Sequence, residues 1–190
     1  MGTESEILAA ARELFTRKGE HAVTMRAVAE RVGVTATAIY RHYRDKAALL
    51  EEMASRGFEA LGERCRKIRA TTSDPVARLR RMLAECIRFS LEQPETVGAM
   101  FRAPRRKARR FPEDFKKDPG PVFGLAMQQV TECMDAGRIR RDDVLETTFL
   151  LWAHVQGLMA LHRAGRVGSA ADFRRVAVRS LDRLVDGLEA

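Results

Sequence analysis

Cysteine is scarce and odd in number: Cys65, Cys86 and Cys133 stand far apart, each inside a stretch of apolar residues at helical spacing. Such a set makes no disulfide framework and reads as buried thiols in a reducing compartment. Long uninterrupted apolar runs are also missing. The most apolar stretch, Thr147 to Leu161, is short and interrupted by His154 and Gln156, so it is not expected to span a bilayer. The N-terminus carries Thr3, Glu4 and Glu6 in place of a basic segment followed by an apolar run. No signal peptide is therefore expected, and the cytoplasm is the expected location. Nothing alternates with period two over a useful length, which excludes a strand-rich fold. With no phosphate-binding glycine loop, zinc-ligand cluster or nucleophile motif, the sequence argues against an enzyme, and no cofactor is expected.

What is there is 45% hydrophobic and 32% charged, with a formal net charge of +8 over 190 residues. Apolar residues recur in spaced clusters, enough for one extended core or two small ones, so global disorder is excluded. The positive charge is unevenly placed. Residues 1–46 hold eight Lys/Arg against six Asp/Glu, whereas residues 102–117 hold eight against two. Basic character therefore comes mainly from mid-chain, above all from the run Arg105 to Arg110, which reads as a solvated loop.

Hydrophobic periodicity and capping residues divide the chain into helices. Thr3 with Glu6 has capping-box spacing, and Ile7, Ala11, Leu14 and Phe15 then share one face up to Gly19. Thr24 is the N-cap of a helix of about two turns carrying Val28, Ala29 and Val32, closed by Gly33. Thr35 caps a third short helix, and Asp45 opens a much longer fourth. Asp74 followed by Pro75 starts a fifth, and a short one is expected from Pro94 to about Arg102. Residues 103–120, with three prolines, read as a loop. Helices are expected from Pro121 to Ala136, from Asp142 or Asp143 to about Arg163, and around Phe173 to Leu188. The fold class is thus all-α with about nine helices, and a domain boundary is expected between residues 46 and 47.

The informative stretch is Val23 to Lys46. Ala29 is small where two helices must cross closely, Gly33 makes the turn, and Val28, Val34 and Ile39 lock the pair. That pattern is a helix-turn-helix, whose second helix lies in the major groove of DNA. Thr35, Ala36, Thr37 and Arg41 stand at the front of that helix. Arg41 can take guanine bidentately, whereas Ala36 offers only a methyl contact to thymine. Arg26, near the start of the second helix, is placed to reach a base or a phosphate. Lys46 in the first turn of the fourth helix opposes the macrodipole unless a phosphate sits there, so it reads as a phosphate contact.

Thr24, the Gly33-Val34 turn, Tyr40 with Tyr43, and Asp45-Lys46 closely resemble the tetracycline-repressor (TetR) family over about the first fifty residues. Beyond them the likeness rests on helix count and length and, loosely, on Trp152, His154 and Gly157. The resemblance implies a ligand-responsive repressor of transcription, binding double-stranded operator DNA as a homodimer. It gives Tyr40 a phosphate contact, leaving Tyr43 to the core, and puts His42 near the DNA backbone. It also implies that residues 1–46 bind DNA while residues 47–190 bind a ligand and dimerise through the last two long helices. The effector is expected to be small and apolar, with Met100, Phe101, Phe123, Met127, Trp152 and His154 as pocket candidates. An architectural or activator-type DNA-binding protein without an effector is the alternative.

Overall fold

The structure is a computed structural model that describes residues 4–102 and 109–190. Among the described residues there are ten α-helices and one short 3-10 helix, Glu20–Ala22, and no strand beyond a single bridge between Ile139 and Glu189. The helices are α1 (Glu4–Lys18), α2 (Met25–Val32), α3 (Ala36–His42), α4 (Lys46–Thr71), α5 (Pro75–Glu92), α6 (Pro94–Arg102), α7 (Glu113–Lys117), α8 (Pro121–Asp135), α9 (Val144–Arg163) and α10 (Ala170–Asp186). The count exceeds the expected nine because α7 forms inside the segment read as a loop. Its cause is burial: Phe115 is drawn into a cluster with Phe123 and Leu145, which outweighs the surrounding prolines.

Side-chain caps set most of the starts. Thr24, Thr35, Asp45, Asp74, Asp143 and Ser169 each accept a backbone N–H three residues on, each bond contributing about 1 kcal/mol to its helix. Gly33 takes φ 78°, in the left-handed region that a residue with a side chain rarely enters, and so permits the tight turn from α2 to α3.

The chain divides into two compact units, residues up to Phe58 with Gln93–Ala108, and Glu59–Glu92 with Arg109–Ala190. The division differs from a cut after residue 46. Leu49, Leu50 and Met53 of α4 belong to the first core, together with Ile7, Phe15, Val28 and Ile39. Helix α6 joins the same unit, where Phe101 stands edge-on to Phe58 at 5.5 Å.

In the first unit, Tyr43 is buried with a hydroxyl that has no hydrogen-bond partner among the described residues. Burial, helped by Glu4 and Glu52, pushes its ionisation up to about 12. A raised folded-state value contributes stability in full below the ordinary tyrosine range near pH 10, and that contribution is lost as pH rises from about 10 to 12. Thermal melts at stepped pH should show wild type losing stability across that window and Tyr43→Phe losing less. At pH 7 Tyr43→Phe should melt no lower than wild type, because no bond is removed. A lower melt at pH 7, or identical alkaline profiles, would contradict the assignment.

The second unit packs α5 against α8, α9 and α10. Gln129 of α8 is fully buried yet satisfied: Arg69 donates to its Oε1 at 2.8 Å, and its Nε2 donates to the Pro75 carbonyl at 2.9 Å. That amide therefore ties the end of α4 and the start of α5 to α8 at no unpaired polar cost. Arg80 of α5 similarly bonds Asp186 at 2.6 Å and Glu189 at 2.7 Å. Helix α9 runs for 20 residues and is long and apolar enough, by length and composition, to cross a membrane. A helix buried in a protein core passes the same test. Here Leu145, Leu151, Val155 and Met159 are buried inside the second unit.

Candidate nucleic-acid interface

Helices α2 and α3 are short, so what they bury decides what they expose. Val28 and Ala29 of α2 and Ile39 of α3 are buried against α1, which leaves one polar face of α3 outside. Thr37, Tyr40, Arg41 and His42 are exposed, Tyr40 by 53% despite its ring. Its ring offers an apolar face and its hydroxyl a hydrogen-bonding group for contact. Arg26 is exposed on α2, and α3 carries no acidic residue. Ala36 is half-buried and packs on the margin of the core, so its methyl is only partly available.

Thr24 and Thr35 are exposed, and their oxygens accept the N–H groups of Ala27 and Ala38 at 3.1 and 3.3 Å. Each hydroxyl proton remains free to donate outward. Lys46 departs from the sequence reading of an ammonium free for a phosphate. It is half-buried, and Nζ donates to the Glu20 carbonyl at 2.7 Å, tying the 3-10 helix to the first turn of α4. An ammonium has three donors, so one bond leaves two for another oxygen.

Behind this face, Arg31 of α2 donates to both oxygens of Glu13 of α1 at 2.8 and 2.6 Å. The bond from Arg31 holds the Glu13 carboxyl below its ordinary range. Sequence reasoning missed this clamp because its partners stand eighteen residues apart. It also passed over Arg44, an exposed cation in the turn between α3 and α4, 3.7 Å from Asp45. The available signal for Arg44 was its place just before a helix cap. Chemically, the surface offers guanidinium and hydroxyl donors, which suit phosphate oxygens and the acceptor edges of bases.

The pocket candidates do not gather into one site. Phe123, Met127 and Trp152 come together in the second unit with Phe111, Phe115, Phe149 and Leu145. Met100 and Phe101 pack in the first unit, Met100 fully buried beside Gly57. His154 turns to α10, its Nε2 2.8 Å from Ser180 Oγ. His162 stacks flat on Phe173 at 4.2 Å. Among the described residues no group of His, Cys, Asp and Glu could hold a metal ion. Of the basic run, residues 105–108 lie outside the described residues. Arg109 sits over the Phe115 ring at 4.4 Å, and the Arg110 N–H donates to Asp114.

A short, exposed, acid-free helix held by a tight glycine turn against a buried partner defines a helix-turn-helix protein. Residues 7–53 match the pattern of bacterial regulatory proteins of the tetR family, and residues 79–188 that of the tetracyclin repressor-like C-terminal domain. The chain belongs to the TetR family. It is similar to the HTH-type transcriptional repressor KstR of Rhodococcus jostii, 34% identical over 97 residues, which is 51% of this chain and 45% of that protein. It is also similar to the HTH-type transcriptional activator FasR of Mycolicibacterium smegmatis, 35% identical over 75 residues, 40% of this chain and 34% of that one. The matched region thus spans less than half the length of these curated relatives. The solved structure of the transcriptional regulator FadR from Bacillus subtilis in complex with stearoyl-CoA shares the fold, with TM-score 0.81, 15% identity, and coverage of 98% of this chain and 100% of that one.

Proposed function

We propose that the protein is a ligand-responsive transcriptional repressor that binds operator DNA as a homodimer in the cytoplasm and is not an enzyme. The observation that carries this reading is the exposed polar face of α3 set on the buried residues Val28, Ala29 and Ile39. Thr37 and Arg41 read base edges, Tyr40 and Lys46 hold phosphates, and Thr24, Arg26, Thr35 and His42 line the same contact. Ala36 adds a minor methyl contact. The match to a tetracyclin repressor-like C-terminal domain and the likeness to KstR, a named repressor, support repression.

Dimerisation falls to α9 and α10. Leu150, Leu161 and Val176 are 46, 50 and 43% exposed, and Ala153 and Gly157 lie exposed on α9 between the two leucines. A second copy would cover this apolar surface, with small residues allowing close approach. The effector is a small apolar molecule bound in the second unit against Phe123, Met127 and Trp152, where Met127 and Trp152 remain half-exposed. Helix α4 contributes residues to both units, so it is the element through which the effector acts on the DNA-reading unit. Coupling of the usual size, about 1–3 kcal/mol, changes operator affinity about 5- to 150-fold, and operator DNA changes effector affinity by the same factor.

Lys46→Ala should weaken specific and nonspecific DNA alike and lower the slope of log affinity against log salt by about one. Binding titrations at several salt concentrations measure this. A variant that melts lower but keeps the wild-type slope would show that Lys46 serves only to hold Glu20.

A further inference from the structure

We infer that the second unit carries a groove for an amphipathic anion, a molecule with an apolar body and a phosphate or carboxylate head, lying between the end of α5 and the first half of α10. The groove measures about 720 Å³ and is lined by Leu91 and Glu92 of α5 and by Ala170, Ala171, Arg174, Arg175, Val178 and Arg179 of α10. That volume is in the range of small-molecule sites, which are mostly apolar with a few placed polar groups. The lining has the same two-part character: leucine, alanine and valine form an apolar wall, and three guanidinium groups stand along one helix.

The charge decides the ligand's sign. Arg175 is shared with Asp172 at 3.2 Å; Arg174 and Arg179 make no ion pair among the described residues, though Arg174 is near enough to Glu92 to help hold its carboxyl below the ordinary range. Glu92, the carboxylate in the lining, is bonded by Arg64 at 2.6 Å and lies 3.7 Å from Arg88, so Arg174 is not its main partner. Two guanidinium groups without a direct ion pair, beside an apolar wall, suit a charged head with a hydrocarbon body. A bare anion would leave the wall unused, and a neutral hydrocarbon would leave the arginines unanswered.

The groove's apolar wall is separate from the surface given above to a second copy: Val176 and Val178 are two residues apart on α10 and so point roughly 160° apart around it, while Arg179, three residues on from Val176, stands roughly 60° from it at the border of that surface. It is equally separate from the aromatic cluster of Phe123 and Trp152, none of whose residues line it.

Calorimetric titration of the full chain with dodecyl phosphate below its micelle concentration tests the site, with dodecanol and inorganic phosphate as controls. Dodecyl phosphate should bind saturably, and Arg174→Gln and Arg179→Gln should each weaken it about fivefold to tenfold, as expected for loss of a charge-assisted bond. Val178→Glu should abolish binding by setting a carboxylate in the wall, while thermal melts report that each variant still folds. Dodecanol binding, if any, should not respond to the arginine changes. The site is overturned if dodecyl phosphate does not bind saturably or binds the double arginine variant as it binds wild type. It is also overturned if inorganic phosphate binds as tightly, or if only Trp152→Ala weakens binding.

Discussion

Arg41→Ala is expected to weaken binding to the specific DNA site by about 1–3 kcal/mol, roughly 5- to 150-fold, while nonspecific affinity changes far less. Arg41 is exposed in the last turn of α3, beside Thr37 and Tyr40 and on a helix without acids. A guanidinium so placed forms two parallel bonds to a guanine edge, and their loss is felt only where the right base is present. Fluorescence anisotropy with the selected site and with a scrambled duplex of equal length separates the two effects. Equal loss on both duplexes would make Arg41 a phosphate contact and leave sequence choice to Thr37.

Gly57→Val is expected to destabilise the first unit by about 1–3 kcal/mol, the usual cost of overpacking a filled core. A Cβ at Gly57 would lie 2.7 Å from Met100 Cγ, 2.8 Å from its sulfur and 2.9 Å from Thr96 Cγ2. Methionine is flexible and often yields to a neighbour. Here Met100 is only 1% exposed, so it has nowhere to swing. The milder Gly57→Ala isolates the contact. It should be costly in the native chain, and in a Met100→Ala background its cost should shrink to what the Thr96 contact alone demands, offset by alanine's helix preference over glycine of up to about 1 kcal/mol. Chemical denaturation of the four chains measures the coupling. An equal cost for Gly57→Ala in both backgrounds would mean that α6 gives way and the close contact carries no energy.

The helix-turn-helix was legible because its determinants are local. Thr24, Thr35 and Asp45 cap helices within three residues of themselves, and Gly33 turns the chain where it stands. Asp74-Pro75 and Asp143 marked their helices for the same reason. Helix α7 was hidden because its cause is distant: Phe115 gains burial from Phe123 and Leu145, while its neighbours in sequence spell a loop. The place of α6 in the first unit depends on Gly57 meeting Met100, forty-three residues apart, and no periodicity encodes such a meeting.

The same distinction governs the candidate site. Exposure of Thr37, Tyr40 and Arg41 followed from helical phase once Ile39 was assigned to the core. The bond from Lys46 to Glu20 did not follow, because it joins side chain to backbone across a loop. The six pocket candidates were chosen by residue type, and type does not say which unit a side chain enters. Met100 and Phe101 went to one unit and Phe123, Met127 and Trp152 to the other, while His154 found Ser180.

The most direct test of the account is selection of DNA from a random duplex pool by the full chain, followed by measurement of how many chains bind each selected duplex. The account predicts one enriched sequence with two-fold symmetry, occupied by an even number of chains. Its half-sites should be about one helical turn, ~34 Å, or a modest multiple apart, and the preferred base should change in the Arg41→Ala variant. A pool that emerges unenriched, with affinity set by salt and length alone, would contradict it.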